Sequence, residues 1–505
     1  MSTTDTKEWR HTSPLAVVFF LGQIYQTIAQ NAVQSLAPLV AVMFAYEGDL
    51  LWKIIFGTAA FFVITIAISV VRYWFFRYQI TDDSILIREG VIKKTQLDIK
   101  FDRIQAINTK QNILDRAFDL VTVKIDTAGS SKQEGHLPAI RSEQASALKE
   151  RIRREKPVAE IAKGAEDAGE EIATERPILS LSSRDMVKIG LSSNRALIFL
   201  AFLGPVIQQF DEEIEESVDE GTVDTAIDVA QQGVQNGIEI GLLIVVGFLL
   251  LLVVASVVGA FLRYHNFRLV TDRQTFHSTG GLITRHEHSV SFAKIQSVLI
   301  SQNPVMRLFG RFRLTAKKAS SGKQSSGKHF VVPLCDSQQL LLVAGTVFGS
   351  EFDQLDLRPT ADAFELISRH YIRSRILSLG VLPALLVTGL MSFVIGYYAA
   401  LFLIWIALIT PGVWIKYKKY GYVVAKDGMV LRRGFVGFNV SAFLHRKVQR
   451  VSVTQTFLQK RKGLATMRFY LASGSLKLRY IDYRMANKLR DYVLYRVESS
   501  QLAWH

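Results

Sequence analysis

Two hydrophobic patterns alternate along the chain. Long apolar runs come in pairs, near residues 15–45 and 53–71, 195–210 and 237–262, and 376–394 and 397–415. Behind each pair the pattern changes to a period of two. Val121, Val123 and Ile125 alternate with Thr122, Lys124 and Asp126. Phe312, Leu314 and Ala316 alternate with Arg313 and Thr315, and Ala465, Met467 and Phe469 with Thr466 and Arg468. Such alternation predicts half-buried strands. Ala128-Gly129-Ser130, Ser320-Ser321-Gly322 and Ser473-Gly474 supply turns after them. A helical period closes the first and third stretches, through Ala145, Leu148 and Ile152, and through Met485, Leu489 and Val493.

The pattern is one unit used three times. Arg103-Ile104-Gln105, Lys294-Ile295-Gln296 and Lys447-Val448-Gln449 are copies of one phrase. Gly90, Gly281 and Gly434 lie thirteen residues before its cation, and Arg116, Arg307 and Lys460 thirteen after. A period this long marks repeated domains rather than a thin solenoid. The expected class is an α+β membrane protein with three repeats, each a transmembrane hairpin followed by a small β-barrel or bent sheet capped by a helix. The expected boundaries are 1–76 for the first juxtamembrane segment and hairpin, 77–155 for module one and 156–180 for a flexible linker. Residues 181–263 form the second hairpin with its juxtamembrane helix, 264–350 module two, 351–416 the third hairpin with its helix, and 417–500 module three.

A membrane span needs about 20 apolar residues. The stretches 237–262 and 397–415 meet this, while 195–210 is short. The first run is too long for one straight span and carries Gln23, Gln26, Gln30 and Gln34 on one helical face. It is either a polar stripe facing the bundle interior or an interfacial helix leading into a shorter span. Composition agrees with a membrane protein: charged residues are 21% and mean hydropathy is +0.20. Net charge is +15, yet residues 211–236 hold nine acids and no Lys or Arg. That separation fits topology better than nucleic-acid binding. Arg72 and Arg77, Arg263 and Arg268, and Lys416, Lys418 and Lys419 follow the second segment of each pair. Cations near membrane ends mark the cytoplasmic side. All three modules and both termini are therefore expected in the cytoplasm, with 211–236 outside. The N-terminus has no basic region or cleavage site of a signal peptide. Residues 182–188 and 362–367 read as short amphipathic helices on the inner leaflet.

The run Tyr78-Gln79-Ile80-Thr81-Asp82-Asp83, the turn at Gly90, Asp102-Arg103-Ile104-Gln105 and Val123-Lys124-Ile125 resemble the bacterial pleckstrin-homology-like family of membrane-flanked type. The three copies are similar to its larger, YdbT-like members. Copy three departs most, with Ala425-Lys426-Asp427 in place of Ile80-Thr81-Asp82. The resemblance implies a plasma-membrane protein of loosely defined role and a smaller one-domain relative as partner. It also implies a link to envelope stress or tolerance of membrane-active peptides.

Enzyme chemistry is not expected. Residues 322–328 have P-loop spacing, but His329 replaces the magnesium-holding hydroxyl and a β-like run follows instead of a helix. His286-Glu287-His288 places two imidazoles on one strand face without an evident third ligand, and reads as a surface strand. Cys335 is the single cysteine, which excludes an internal disulfide framework. No catalytic residue, cofactor or metal site is assigned. Candidate contacts to anionic inner-leaflet phospholipid are Arg88, Lys93, Lys94, Lys317, Lys318, Lys323, Lys328, Arg432 and Arg433. Arg103, Lys294 and Lys447 read as structural cations whose stems cover the sheet. The leading expectation is a non-enzymatic scaffold whose modules associate with one another, with the anionic inner leaflet or with a related membrane partner, in a homo-oligomer or mixed assembly, with exposed strand edges as association surfaces between modules. The alternative is a lipid-handling protein. Nucleic acid is not an expected partner.

Overall fold

The structure is a computed structural model that describes residues 9–31, 50–91, 94–127, 135–155, 177–193, 246–272, 275–319, 329–349, 357 and 363–499. The expected acidic outer loop, the span at 195–210 and the P-loop-like string lie outside these residues. So do Gln34, Lys93, Lys323, Lys328 and most of the expected linker. The chain divides into two compact units: residues 1–174 with 277–279 and 283–289, and the remainder.

In the first unit, helices Ala16–Gln30 and Leu50–Phe75 are packed together, with the Tyr25 and Phe61 rings 6.2 Å apart. Gln23 and Gln26 are exposed, so the stripe read as facing a bundle interior is not buried against the described residues. The helices lead into an antiparallel sheet of β1 (Arg77–Ile80), β2 (Ser84–Glu89) and β3 (Thr95–Lys100). Gly90 makes the turn between β2 and β3 at φ +101°, a conformation glycine adopts without a Cβ clash. The chain then crosses into a second antiparallel layer, β4 (Ile104–Gln111), β5 (Leu120–Thr127) and β6 (Gly135–Arg141). Helix Ser142–Glu155 closes one end. Ile85, Ile87, Val123, Ile125, Leu148 and Ile152 form one core with Phe20 of the first helix. The alternation along β5 and the 3,4 spacing of the helix are therefore expressed as drawn from the sequence.

The second module supplies β8 (Arg268–Asp272), β9 (Thr275–Gly280), β10 (Arg285–Ser291), β11 (Ile295–Gln302), β12 (Phe312–Lys318) and β13 (Phe330–Cys335), ending in helix Ser337–Phe348. Before it comes β7 (Pro177–Ser180), which pairs with β8. The last four residues assigned to the linker are thus a strand. The amphipathic helix expected after it is present as Ser183–Leu191, with Ser182 and Asp185 forming its capping box. Gly190 packs so closely on Val257 of the span Val246–Tyr264 that a Cβ there would collide with backbone.

The third hairpin is described in full. Two apolar arms run from His370 to Ile395 and from Gly396 to Lys418, with Gly396 at φ +58° forming the tight turn between them. Trp405 Nε1 donates to Leu379 O at 2.9 Å and ties the arms together. The helix expected at 362–367 is instead a short strand, β14 (Glu365–Leu366), paired with β15 (Gly421–Val424). Pairing an open sheet edge satisfies backbone groups that a single helical turn would leave open, and it buries Phe364 and Ile367. Module three continues with β16 (Gly428–Arg433), β17 (Phe438–Leu444), β18 (Val448–Thr454), β19 (Leu464–Leu471) and β20 (Gly474–Asp482), capped by helix Tyr483–Glu498. Met485, expected to face the core, is exposed. Asp482 caps this helix at Met485 N, and Ala486, Leu489 and Val493 form the buried face.

Candidate docking edges and a basic cavity

The repeated phrase builds the same corner in each module. Its cation ends a single 3-10 turn: Phe101–Arg103, Phe292–Lys294 and His445–Lys447. At or just past the end of the strand that follows stands Gln111, Gln302 or Gln455, each eight residues beyond the cation. The three amides donate to Leu120 O at 3.0 Å, Arg311 O at 3.1 Å and Leu464 O at 2.7 Å. Arg116, Arg307 and Lys460 then fall in the short helices Ile113–Ala117, Pro304–Leu308 and Phe457–Arg461. The glutamine staple was legible at a constant offset of eight but is absent from the pattern drawn above, which followed apolar residues and cations.

The strand after each cation is the edge of its layer, and two of the three edges are occupied. In the first unit β4 pairs with residues 285–287 of β10: Gln111 faces Arg285, Lys110 faces His286 and Thr109 faces Glu287. In the second unit β11 pairs with β17: Gln302 faces Phe438, Ser301 faces Asn439, Ile300 faces Val440 and Val298 faces Ala442. The register is the same in both. The residue six beyond one module's cation faces the residue seven before the next module's cation.

The chemistry of the two junctions differs. At the first, Glu287 accepts from Thr109 Oγ1 at 2.9 Å and from Lys149 Nζ at 2.7 Å. Asn108 Oδ1 accepts from Ser289 N at 3.1 Å. Burial pushes the Glu287 carboxyl up, but the Lys149 ammonium and Thr109 hydroxyl outweigh it and hold the group below the usual range. His286 and His288 stack at 5.8 Å, and no cluster of three metal-binding side chains exists among the described residues. At the second junction the buried facing pairs, Val298 with Ala442 and Ile300 with Val440, are apolar. Val430, Val440, Ala442 and Leu444 join the core of module two, while Met429, Leu431 and Phe443 on the opposite face join that of module three. The sheet is buried on both faces, which is why Met429-Val430-Leu431 reads as a continuous apolar run. Lys447, 3% exposed, crosses this junction to donate to Ala293 O at 2.5 Å.

Most described basic loop candidates are engaged with protein. Arg88 lies 4.0 Å over Trp9 and donates to Gln96. Arg432 lies 4.4 Å over Phe364, and Arg433 lies 5.5 Å over Tyr420 and donates to Lys477 O. Lys317 and Lys318 are half-buried at the end of β12, and Lys94 is exposed. Burial, and then the nearby Arg433 charge, lower the Lys317 ammonium below its usual range. Cys335 is buried and donates to Phe312 O at 3.4 Å; burial pushes its thiol up to about 12.

A cavity of about 930 Å³ in the second unit joins the end of the span Val246–Tyr264 to β11 and to the β16–β17 turn. Arg263, Arg313, Ser192 and Asn303 give it polar groups, and Met306 and Phe438 apolar ones. Arg313 Nε is buried and has no hydrogen-bond partner among the described residues.

The family model described as bacterial PH domain matches residues 16–156, 227–367 and 377–497, taking in hairpins as well as modules. The chain is 24% identical to the UPF0699 transmembrane protein YdbT of Bacillus subtilis (strain 168) over 424 residues, 82% of this chain and 83% of that protein. It is 32% identical to the UPF0699 transmembrane protein YdbS of the same organism over 84 residues, 17% of this chain and 51% of that protein. No solved structure matches with significance.

Proposed function

The chain belongs to the bacterial PH domain family, and on that premise we propose that it is a non-enzymatic scaffold of the bacterial plasma membrane. Its three modules lie on the cytoplasmic face and hold one another, and related membrane partners, by strand pairing. The observation that carries this reading is the shared register of β4 with residues 285–287 and of β11 with β17. Two junctions with unlike side chains use the same backbone alignment, so the edge itself is the binding element. Modules tethered to one membrane meet at high effective concentration, which favours such weak, repeated contacts. A role in envelope stress or tolerance of membrane-active peptides suits an assembly of this kind.

Orientation rests on the basic residues at the inner ends of the spans. A tag placed within 211–236 of the intact protein should be reached from outside the cell, and protection of that tag would reverse the topology.

A second reading, lipid handling, is favoured by one feature. The cavity beside Arg263 and Arg313 has the size of a small-molecule site and a cationic lining at a span end. An anionic phospholipid headgroup is its natural occupant. Native mass spectrometry of the detergent-purified chain separates the two readings. A discrete oligomer or partner complex supports the scaffold. A monomer carrying one stoichiometric phospholipid class overturns it in favour of lipid handling.

A further inference from the structure

We propose that copies of this chain assemble head to tail, β18 of one copy pairing with β3 of the next in the register of the two internal junctions. The inference rests on the scaffold reading and names the partner of its open edges. Two edges of each module are of the kind used in the internal junctions: the strand after its cation and the strand before its 3-10 turn. The edges of β4 and β11 are taken, as are those of β10 and β17. Of these two kinds of edge, those still open among the described residues are β18, whose one neighbour is β19, and β3, whose one neighbour is β2. The two are of opposite kind, so the chain is complementary to itself.

Exposure agrees with this assignment. Six of the eight residues of β11 are buried, whereas Gln449, Arg450 and Thr454 of β18 are exposed and Val451 and Val453 only half-buried. In β17 the residues Val440, Ala442, Phe443 and Leu444 are buried, whereas Thr95, Gln96, Asp98 and Lys100 of β3 are exposed. Transferring the register places Val453 opposite Gln96, Thr454 opposite Thr95, Ser452 opposite Leu97 and Val451 opposite Asp98. This pairing is intermediate between the two observed ones. Gln96 occupies the position of Glu287 in the polar junction, and Val453 the position of Ile300 in the apolar one. Arg490 is the eighth residue of its helix, as Lys149 is of helix Ser142–Glu155. In the single copy its guanidinium pairs with the adjacent Asp491; in the assembly it would turn toward Gln96 and Asp98, at the place where Lys149 meets Glu287. The polar residues on β3 keep the edge soluble in a single copy, so pairing is reversible and depends on surface density. A heterologous contact of this type continues as an open chain or closes into a ring.

The test uses full-length chains in native membranes, each retaining the buried Cys335. Two differently tagged chains are co-expressed, one with Thr95→Cys and the other with Thr454→Cys, and mild oxidation is followed by non-reducing gels. A hetero-dimeric band is expected, more than about tenfold stronger than with Thr95→Cys and Val453→Cys, because a one-residue slip turns the side chain to the opposite face. Ser301→Cys with Asn439→Cys in one chain is the internal standard, since these residues already face each other. If the standard forms and the Thr95–Thr454 band does not, copies do not pair by these edges and the scaffold reading survives with another partner. A Thr95–Thr454 band no stronger than the slipped pair also overturns the proposal. Failure of the standard itself overturns the module docking on which both rest.

Discussion

Ile300 stands directly opposite Val440 across the β11–β17 junction, and neither side chain has any exposed surface. The two residues lie in different modules, 140 positions apart in the chain. Val440 points away from the core of its own module, so its burial depends on the neighbour. Val440→Asp puts an unpaired charge there and should cost about 3 kcal/mol or more. Were the junction absent, Val440 would lie on an open surface and the change would cost less than about 0.5 kcal/mol. The shift in urea midpoint of the detergent-purified protein distinguishes the two.

Gly437 closes the same junction. A Cβ at this position would overlap the Gln302 carbonyl oxygen and press on Asn303 Cα, both backbone atoms that cannot swing aside. Gly437→Ala should therefore loosen β11 from β17, read as faster hydrogen exchange through residues 298–302. Unchanged protection there would contradict the close approach.

The glutamine staple gives a third expectation. Gln302 is 5% exposed and its amide is bonded to Arg311 O. Gln302→Leu leaves that carbonyl without its donor, at a cost of about 1–3 kcal/mol. Gln455→Leu should act alike on module three through Leu464 O. Thermal midpoints that stay within error in both variants would show that the staple is dispensable.

The polar junction depends on pH. Glu287 has a folded pKa below its unfolded value of 4.5, because Lys149 and Thr109 outweigh the upward push of burial. Its contribution is present in full above 4.5 and is lost as pH falls through the lower folded value. Glu287→Gln should be less stable than the wild type at neutral pH, with the gap narrowing at acid pH. A gap that stays constant from pH 7 down to acid would disprove the ion-pair role.

Cys335 should be inert in the folded protein. With its thiol pushed up to about 12 and its sulfur buried, almost no thiolate forms near neutrality. Titration with a thiol reagent should show reaction only after denaturation.

The repeated phrase, the strands and the closing helices were legible because each is local. Apolar alternation in Val121–Ile125 or Ala465–Phe469 needs only neighbouring residues to declare itself. The errors fall where a distant partner decides the outcome. The amphipathic helix expected at 362–367 is one: the open edge of β15 makes Glu365–Leu366 a strand. Met485 fits the helical period, yet the cap at Asp482 turns the buried face toward Ala486. The rings over which Arg88, Arg432 and Arg433 lie also come from other segments, so those contacts are not legible in the local sequence.

The sequence by itself determined the class of this protein: paired apolar spans, three β modules capped by helices, and no recognisable catalytic or metal-binding motif. Spacing and periodicity suffice for that, because secondary structure and membrane partition depend on residues within a few turns of one another. Only the tertiary structure decided which edges pair and in what register. Thr109 with Glu287 and Ile300 with Val440 share no side-chain chemistry. Their common alignment is set by backbone hydrogen bonds, which every residue except proline can make and which therefore leave little trace in the sequence.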